Sequence, residues 1–510
     1  ADEVGYPMNY HVTGSLRLAH SAERMQEFQR AKGMGRYQGM DIDVVGLDEI
    51  KRRYPFIETH ELKGALYDPS DGDIDPAQLT QALAKGARDM GAKIIRFCPV
   101  TGVRRDNDEW VVETAQGEIR CEIVVNAAGY RAAEVGRMFG REVPMMVMSH
   151  QYILFEEIPE LAAWSKEQGK KLPLLRDVDT SYYLRQEKNG MNLGPYERNC
   201  RAHWVGHYLA DAVARVPILG TAGLSKVING PIPYAPDGNP LIGPMPGVPN
   251  AFEACVFTFG IAQGGGAGKV LAEWVTQGQT EWDMWSCDPR RFTAFASAPD
   301  YCVAKGKEIY GNEYAIQFPR HAWPAGRDRK LSPLHDRIKA LGARFDAYNG
   351  WERATWYARP GDDISEQSTL TFRRDGPWQH RVREECLAVR DAAGILDLPG
   401  FSRFNLDGPG GAEWLSLQVT GLVPKPGRIG LVYFADDKGR TVTEMSVVRH
   451  DENLMTLITA AVAQWHDFEW LKSRIPKDAT FKLVDRTEEY STQILAGPNS
   501  RNILAELCAA

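Results

Sequence analysis

Two stretches of the sequence each have the pattern of a strand, a turn of small residues and a helix, which is the repeating unit of an α/β sheet. The first runs through 123–129, from Ile-Val-Val into Asn-Ala-Ala-Gly, and continues into the helical stretch 132–138. The second runs through 252–268, ends in a glycine-rich segment and continues into the helical stretch 269–276. Residues 145–234 lie between them and carry Tyr-, Val- and Ile-rich strands. We therefore predict an α/β sheet with an inserted antiparallel sheet.

A helix is predicted before the first of these units. Asp75 stands at the N-cap position, Pro76 begins the first turn and Gly91 ends the helix. Its apolar positions are Leu79, Leu83, Ala87 and Met90. Three strands that form a meander are predicted next, at 93–103, 110–114 and 118–126.

The chain has 510 residues, more than one hydrophobic core normally organises, so several domains are expected. We predict three, at residues 1–284, 285–343 and 344–510. The middle region is rich in charged, proline and aromatic residues, as in a connector. After Gly350, short strands with Gly-Pro and Asp-Gly turns alternate with short amphipathic helices, which indicates a separate α+β domain.

Composition and patterning exclude several classes of protein. The net charge of −7 argues against nucleic-acid binding, and no apolar run approaches the ~20 residues that span a bilayer. The eight cysteines stand far apart without a C-x-x-C pair, and the histidines are not clustered. We therefore expect neither a metal site nor a disulfide framework, and a reducing compartment fits best. The N-terminus carries no secretory signal.

The G-x-G-x-x-G fingerprint of a dinucleotide site is absent, since Gly33-Met34-Gly35 lacks a glycine at the third required position. Two other segments suit a cofactor. The turn 126–129 places small residues at the end of a strand, where a ligand can lie against the backbone; a turn without a ligand is the alternative. The run 260–268 precedes a helix, whose N-terminal N–H groups favour anionic atoms; a flexible glycine loop is the alternative.

Polar groups suited to amine chemistry fall on two predicted strands, His150 on one and Tyr182, Tyr183 and Arg185 on another. Oxidation of an amine requires its neutral form. A His of near-neutral pKa, or a Tyr hydroxyl, is suited to take or relay the ammonium proton, although a structural, hydrogen-bonded role explains His150 as well. Arg185 is suited to hold a substrate carboxylate, and a surface ion pair is the equal alternative.

A single carboxylate stands out in the last domain. Glu444 falls on a predicted strand whose alternation places Val442, Glu444 and Ser446 on one face. Thr443, Met445 and Val447 fall on the other face. A solvated edge residue is the alternative to a functional role for Glu444.

Taken together, these features resemble the dimethylglycine and sarcosine dehydrogenase family, and the match runs nearly end to end. The most telling stretches are Gly14-Ser15-Leu16-Arg17-Leu18, Pro69-Ser70-Asp71-Gly72-Asp73, Val125-Asn126-Ala127-Ala128-Gly129, His150-Gln151-Tyr152, Tyr182-Tyr183-Leu184-Arg185, Asn229-Gly230-Pro231 and Gly350-Trp351-Glu352-Arg353.

The resemblance implies an α/β plus α+β organisation. A D-amino-acid-oxidase-like flavin domain with an antiparallel substrate sheet, its N-terminal Rossmann strand missing, is followed by a central module and a partial aminomethyltransferase-like folate domain. The pair that acts on the substrate amine is His150 with one of Tyr182 and Tyr183. Cofactor contacts are implied at Val100, Ala128, Gly129, Arg131, Phe257, Thr258, Phe259, Gly260, Ile261, Ala262 and, facing the folate, Glu444.

The activity implied is oxidative N-demethylation of dimethylglycine or sarcosine, with FAD as acceptor and transfer of the one-carbon unit to tetrahydrofolate. A flavoprotein or oxygen would reoxidise the flavin, in the mitochondrial matrix of a eukaryote or the cytoplasm of a bacterium. One alternative is a folate-binding or subunit-type protein without redox activity. Another is a plain aminomethyltransferase, which leaves the first 280 residues without a role.

The sequence also departs from the family. The glycine fingerprint, and a nearby His that bonds covalently to the flavin, would precede Ala1. The segment 197–217 is shorter than in relatives, and the rest of the folate domain would follow Ala510. The chain is therefore expected to be a fragment.

Overall fold

The computed structural model of the protein describes residues 3–198 and 206–508, so part of the shortened segment 197–217 lies outside the described residues. A small ribbon pairs β1 (Tyr10–Val12) with β5 (Gly72–Ile74). Eight strands form the largest sheet, namely β2 (Ser15–Ala19), β3 (Asp43–Val45), β4 (Gly64–Asp68), β10 (Met146–Phe155), β11 (Leu174–Asp177), β12 (Tyr182–Glu187), β13 (Gly190–Pro195) and β14 (Leu224–Tyr234).

The order across this sheet is β14-β10-β13-β12-β11-β2-β4-β3. Neighbouring strands are antiparallel except β11 and β2, which run parallel. The predicted antiparallel sheet within 145–234 is therefore confirmed, and three strands from the N-terminal region extend it.

One face of the eight-stranded sheet builds the largest hydrophobic core. Leu16 and Leu18 of β2 and Tyr182 of β12 are fully buried there. Three helices pack against this face, namely α2 (Leu47–Arg53), α5 (Pro159–Gln168) and α6 (Gly206–Arg215). The opposite face, called the second face below, is covered at one end by α1 (Ala22–Tyr37), where Phe28 packs on Ala19.

A three-stranded sheet in the order β15-β16-β9 carries the two predicted strand–turn–helix units. Its strands β9 (Val124–Asn126) and β16 (Ala251–Cys255) are parallel, and β15 (Leu241–Pro244) is antiparallel to β16. The helices that follow β9 and β16 are α4 (Ala132–Met138) and α7 (Gly260–Gln277). A meander of β6 (Val100–Asp106), β7 (Glu109–Thr114) and β8 (Gly117–Cys121) lies before this sheet in the chain.

Two parts of this region differ from prediction. Helix α3 (Pro76–Asp89) is capped by the side chain of Asp75 as predicted, yet its apolar residues Leu83 and Met90 are 60% and 85% exposed. Residues 93–99 form no strand, and β6 begins only at Val100. The segment has single hydrogen bonds from Ala115 and Gln116 rather than a strand ladder.

The glycine-rich run also folds differently from prediction. Helix α7 begins at Gly260, so 260–268 forms its first turns rather than a loop before it. Its only buried residues are Ala267 and Val270, and Gly278 ends it in a left-handed conformation. The cooperative hydrogen bonding of an 18-residue helix offsets the low helix propensity of glycine.

The central part of the chain consists of short turns followed by one longer helix. Turns at Trp285–Cys287, Pro289–Arg291 and Ala294–Ser297 lead to α8 (Pro299–Gly311). Helix α8 packs on β10, where Gly306 lies against Met146. It thereby places the residues after it over the second face of the eight-stranded sheet.

The C-terminal part is built on a six-stranded sheet in the order β21-β22-β23-β24-β20-β25. Its core contains Phe404, Val432, Phe434, Val447 and Leu457, all fully buried. The strands of this part are β17 (Ala343–Tyr348), β18 (Trp351–Tyr357), β19 (Gly394–Asp397), β20 (Phe401–Asp407), β21 (Val419–Thr420), β22 (Arg428–Ala435), β23 (Thr441–Arg449), β24 (Leu454–Ala460), β25 (Lys482–Asp485) and β26 (Gln493–Ala496). Its helices are α9 (His335–Ala340), α10 (Gln379–Asp391), α11 (Gly411–Gln418), α12 (Gln464–Lys472) and α13 (Ser500–Leu507).

Candidate active site

Alternation along β12 separates the two predicted tyrosines, because successive side chains of a strand point to opposite faces. Tyr182 is fully buried in the largest core, where its hydroxyl donates to Asp177 Oδ2 at 3.3 Å and burial raises its pKa. Tyr183 lies on the second face, in a cluster with Tyr196. Only Tyr183 therefore shares a face with His150, whose ring also lies against Tyr196.

His150 lies in the middle of β10, half-buried between two tyrosines. Its ring centroid is 5.0 Å from that of Tyr196, and its Nδ1 is 3.2 Å from the hydroxyl of Tyr310. Burial lowers the pKa of His150 to about 4. Burial of the charged ring is the cause, so this pKa lies below the near-neutral value expected from the sequence. The imidazole is therefore neutral at physiological pH.

The tautomer of His150 follows from its hydrogen bonds. The hydroxyl of Tyr310 donates to the carboxylate of Glu197, so its oxygen accepts from Nδ1–H of His150. With the ring proton on Nδ1, Nε2 carries the lone pair. His150 is thus suited to accept a hydrogen bond through Nε2.

Tyr183 is held across the neighbouring strand. Its register partner on β13 is Gly194, and a Cβ at Gly194 would overlap the Tyr183 ring. Its ring centroid is 6.4 Å from that of Tyr196. Burial raises the pKa of Tyr183 to about 12, so the hydroxyl keeps its proton and acts as a donor.

Residues of the central part complete the aromatic wall, and sequence reasoning missed them. Tyr310 and Tyr314 have ring centroids 5.7 Å and 5.2 Å from that of Tyr196. The hydroxyl of Tyr234 donates to Glu313 Oε2 at 3.1 Å. Burial raises the pKa of Glu313 to about 7, although the bond from Tyr234 lowers it in part. The sequence feature that pointed to these wall residues is the tyrosine-rich composition of 301–314. Composition alone does not show which residues these tyrosines contact.

Arg185 projects from the same face of β12 as Tyr183 but is already paired. Its Nη2 lies 2.7 Å from Glu187 Oε2. Arg185 was expected either to hold a substrate carboxylate or to form a surface ion pair, and the structure shows an ion pair with Glu187.

The predicted flavin contacts fall into two turns at one edge of the three-stranded sheet. Because β9 and β16 are parallel, their carboxyl ends meet at the same edge. Ala128 and Gly129 follow β9, and Gly129 has a left-handed φ of 58°. Residues 257–262 follow β16 and run into the first turn of α7. Arg131, next to the first turn, makes a local ion pair with Glu134 at 3.3 Å.

The start of α7 fits an anionic, closely packed ligand such as FAD. The N-cap residue Phe259 forms no side-chain cap, so the first N–H groups of a long helix are available to a ligand. Cβ atoms added at Gly264, Gly265 or Gly266 would meet nothing within 4 Å. These exposed glycines let a flat group approach the helix backbone. Helix α7 follows β16, and β9 is the open edge of the sheet that contains β16.

Backbone strain marks the entry to the second turn. Val256 is fully buried and has φ of 61°, a left-handed conformation that β-branched residues rarely adopt. It stands directly between β16 and Phe257. Strain of this kind collects at functional sites, where the surrounding fold holds it in place.

The remaining two cofactor candidates lie apart from these turns. Val100 begins β6 in the meander, which is a different sheet. Glu444 lies on β23 in the C-terminal sheet, exposed and opposite Tyr433 of β22. Met445 and Val447 are buried in the core beneath, so the predicted alternation is confirmed. Glu444 thus belongs to a second, separate candidate site.

Comparison with known proteins identifies the chain. Residues 1–274, more than half of it, match the family described as FAD dependent oxidoreductase (DAO). The chain belongs to this FAD-dependent oxidoreductase family. Residues 277–332 match the FAD dependent oxidoreductase central domain, and residues 334–510 match the GCVT N-terminal domain.

Individual relatives agree with this assignment. The chain is 33% identical to mitochondrial dimethylglycine dehydrogenase of Mus musculus, over 99% of this chain and 60% of that protein. It is 30% identical to human mitochondrial sarcosine dehydrogenase, over 100% of this chain and 61% of that protein. The chain thus spans about 60% of the length of these relatives. The predicted family resemblance is confirmed.

A solved structure supports the fold of the first part. L-proline dehydrogenase from P. horikoshii superposes with a TM-score of 0.51, covering 57% of this chain and 78% of that one at 24% identity. This likeness concerns the fold alone. Together with the family matches, it confirms the predicted fold class of a D-amino-acid-oxidase-like flavin domain followed by an aminomethyltransferase-like domain.

The described residues contain neither a membrane-spanning helix nor a cluster of metal-ligating side chains. Among residues 3–198 and 206–508, no helix is both long and apolar enough to cross a membrane. The same residues contain no group of three or more His, Cys, Asp or Glu side chains placed to hold a metal ion.

Proposed function

We propose that the protein catalyses oxidative N-demethylation of a small N-methylated glycine, with FAD as electron acceptor and tetrahydrofolate as acceptor of the one-carbon unit. The observation that carries the redox half is the second face of the eight-stranded sheet. There a neutral His150 and a protonated Tyr183 lie on either side of Tyr196. This aromatic, half-buried site disfavours a charged ammonium and favours the neutral amine that oxidation requires.

The side chains proposed as catalytic act on the amine proton and on orientation. His150 accepts a hydrogen bond through Nε2 from the ammonium N–H of the bound substrate, and the hydroxyl of Tyr183 donates or relays a proton as the amine becomes neutral. The amine lone pair forms a C=N bond as a hydride leaves the N-methyl carbon. Bound FAD supplies the two-electron acceptor for that hydride. Tyr182 is left out of the proposed pair, because it lies in the core on the other face.

The residues proposed to hold FAD are those of the two turns, Ala128 and Gly129 after β9 and 257–262 after β16. The N–H groups at the start of α7 would stabilise negative charge on the bound flavin, as helix N-termini do for anions. Val100 and Arg131 are proposed as peripheral contacts. Three regions, 1–284, 285–343 and 344–510, remain our proposed domain borders.

The substrate and partners are proposed from the named relatives, which act on dimethylglycine and sarcosine. Both are glycines with N-methyl groups, so we propose that substrate class without choosing between them. A flavoprotein or oxygen is proposed to reoxidise the flavin. A mitochondrial compartment, as in the names of these relatives, is proposed if the source is a eukaryote, and the cytoplasm if it is a bacterium.

Glu444 is proposed to face the folate. It lies on the open face of the C-terminal sheet beside the exposed side chains of Tyr433 and Leu431. An apolar, aromatic surface with one carboxylate suits a pterin ring and its N–H donors. The carboxylate would stabilise positive charge as the methylene carbon of the iminium is transferred to a folate nitrogen.

The redox half is tested by absorbance. Flavin-loaded protein is mixed anaerobically with dimethylglycine, sarcosine or, as a control without an N-methyl group, glycine. Bleaching of the flavin by an N-methylated glycine and not by glycine is expected. A colourless protein that binds folate would instead support the folate-binding alternative.

The folate half is tested with Glu444→Gln, matched by Glu413→Gln at an exposed position of the same domain. Flavin reduction is expected to be unchanged in both. Glu444→Gln alone is expected to release more formaldehyde at the expense of methylene-tetrahydrofolate at saturating folate. If Glu444→Gln gives the same ratio of formaldehyde to methylene-tetrahydrofolate as the parent, Glu444 does not face the folate.

A further inference from the structure

Tyr314, which follows helix α8, joins two hydrophobic clusters on the second face. Its ring packs on Tyr196 with the centroids 5.2 Å apart, in the cluster that also contains Tyr310. The same side chain packs against the cluster beneath α1, which contains Ala19 and Phe28. The Tyr314 ring therefore fills the space between α1 and the aromatic wall of the candidate site.

The backbone of Tyr314 is held by Arg24, a cation in the first turn of α1 of which only 5% is exposed. Arg24 Nη2 donates to the Tyr314 carbonyl at 2.6 Å, and Arg24 Nε donates to Asp179 Oδ1 at 2.9 Å. Its Nη1 donates to Glu27 Oε2 at 2.5 Å. One buried guanidinium thus joins α1, the turn after β11 and the segment after α8.

The turn that carries Asp179 also fixes the second tyrosine of this contact. Ser181 Oγ donates to the Tyr196 carbonyl at 2.8 Å, and the Tyr196 N–H donates to the Ser181 carbonyl at 2.9 Å. Asp179 Oδ2 accepts from the N–H of His20 at 2.9 Å, which ties the turn to the end of β2. The guanidinium and this turn together set where the two tyrosine rings meet.

His150 lies on the other side of the Tyr196 ring, with the ring centroids 5.0 Å apart. It also faces the Tyr310 hydroxyl, 3.2 Å from its Nδ1, and through that hydroxyl the carboxylate of Glu197. Water that entered between Tyr314 and Tyr196 would reach the imidazole. Because solvation favours the charged form of a buried base, that water would favour imidazolium.

We propose that Arg24 is a positioning residue, which holds Tyr314 against Tyr196 and thereby keeps water away from His150. This inference rests on the proposed function and deepens it, because it concerns the same site. Arg24 acts through Tyr314 and does not touch the substrate. The closed wall keeps the imidazole neutral, so that it can accept a hydrogen bond from the substrate ammonium.

The test measures the pKa of His150 in flavin-loaded protein by NMR titration of labelled histidine, with the signal assigned from its absence in His150→Gln. The parent should titrate at about 4. Arg24→Gln should move the pKa at least halfway towards the ~6.5 of a solvated imidazole. Arg24→Lys, which keeps a charged donor, should show a smaller rise. The control Arg36→Gln, at an exposed position of the same helix, should titrate as the parent does.

The pH dependence of flavin reduction by an N-methylated glycine gives a readout that loss of stability alone would not produce. The rate of Arg24→Gln relative to the parent should fall about 3- to 25-fold as the pH is lowered from about 7 to about 5, because a protonated ring cannot accept a hydrogen bond. A protein that is only less stable, but still folded, would keep a constant ratio of rates.

A second, milder pair of variants covers the case in which Arg24→Gln does not fold. Asp179→Asn keeps the shape of the side chain but removes the charge that holds the guanidinium, and Arg24→Lys removes its forked geometry. Both should raise the pKa of His150 by less than Arg24→Gln does. If neither raises it, the inference is overturned.

The outcomes separate this inference from the proposed function. A raised His150 pKa in the Arg24 variants supports the positioning role even if N-methylated glycines fail to reduce the flavin, and in that case only the proposed function fails. An unchanged pKa in a folded Arg24→Gln overturns the inference even when demethylation is confirmed. An equal rise in Arg36→Gln, a parent value near ~6.5, or a ratio of reduction rates that is constant with pH overturns it as well.

Discussion

Gly194 and Tyr183 are register partners on neighbouring strands, and the Tyr183 ring occupies the space that a side chain at Gly194 would fill. Strand β13, which carries Gly194, lies between β12 and β10. The glycine therefore lets the ring extend across β13 towards the strand that carries His150. Gly194 sets the position of the Tyr183 hydroxyl.

Gly194→Ala is expected to displace the Tyr183 ring and slow flavin reduction by an N-methylated glycine. The overlap falls on the far end of a side chain, so the protein should still fold, with a loss of about 1–3 kcal/mol in unfolding free energy. Stopped-flow absorbance and chemical denaturation measure the two effects. Gly430→Ala is the control, because a Cβ there would meet Pro424 at an ordinary 3.6 Å. An unchanged reduction rate in Gly194→Ala would contradict this role.

Tyr183→Phe and Tyr182→Phe remove the same hydroxyl from adjacent residues that face opposite ways. We expect Tyr183→Phe to slow flavin reduction by about 10²-fold, the lower range for general acid–base groups. Tyr182→Phe should leave the rate near that of the parent, because its hydroxyl contacts Asp177 in the core. A larger rate loss in Tyr182→Phe than in Tyr183→Phe would reverse the assignment.

His150→Gln is expected to lower the rate of flavin reduction without moving its pH profile between about pH 6 and 9, because the neutral ring does not titrate there. Stability should respond at lower pH. The folded pKa of about 4 lies below the unfolded value of ~6.5. The contribution of His150 is therefore complete above the unfolded pKa and is lost as the pH falls towards 4. Denaturation at several pH values should show that the unfolding free energy falls less between pH 6.5 and 4 in His150→Gln than in the parent. An equal fall in both proteins would contradict a buried, neutral ring.

Glu313→Gln is expected to stabilise the protein at alkaline pH. Its folded pKa of about 7 lies above the unfolded value of 4.5, so the folded state holds a proton that the unfolded state releases. Stability attributable to Glu313 is therefore present at low pH and lost as the pH rises through 7. The melting temperature of Glu313→Gln should exceed that of the parent at about pH 8 and match it near pH 5. The exposed control Glu413→Gln should melt at the same temperature as the parent at both pH values. Equal melting temperatures for Glu313→Gln and the parent at pH 8 would show that the Glu313 carboxyl ionises normally and contradict the raised pKa.

Local signals in the sequence predicted much of the fold. The turn residues after β9 and β16 identified both strand–turn–helix units, and Asp75 identified the start of α3. Alternation on β23 placed Met445 and Val447 in the core. These predictions succeeded because capping, turn chemistry and alternation depend on neighbours within a few residues.

Capping, turn chemistry and alternation did not predict contacts between segments that are distant in the sequence. Residues 93–99 have strand-like composition but form no strand ladder. The glycine run forms helix because the cooperative hydrogen bonding of a long helix outweighs the low propensity of glycine. The wall of the candidate site combines Tyr183 and Tyr196 with Tyr310, more than one hundred residues further along the chain.

The central claim, oxidation of an N-methyl group at the His150 and Tyr183 face, is tested most directly by product stoichiometry in a single anaerobic turnover. Flavin-loaded protein is mixed with an excess of dimethylglycine or sarcosine, and the demethylated amino acid is quantified against the flavin reduced. We predict one equivalent of demethylated amino acid for each flavin reduced by the parent, and far slower formation in Tyr183→Phe. Flavin reduction without a demethylated product, or none with either substrate, would contradict the account.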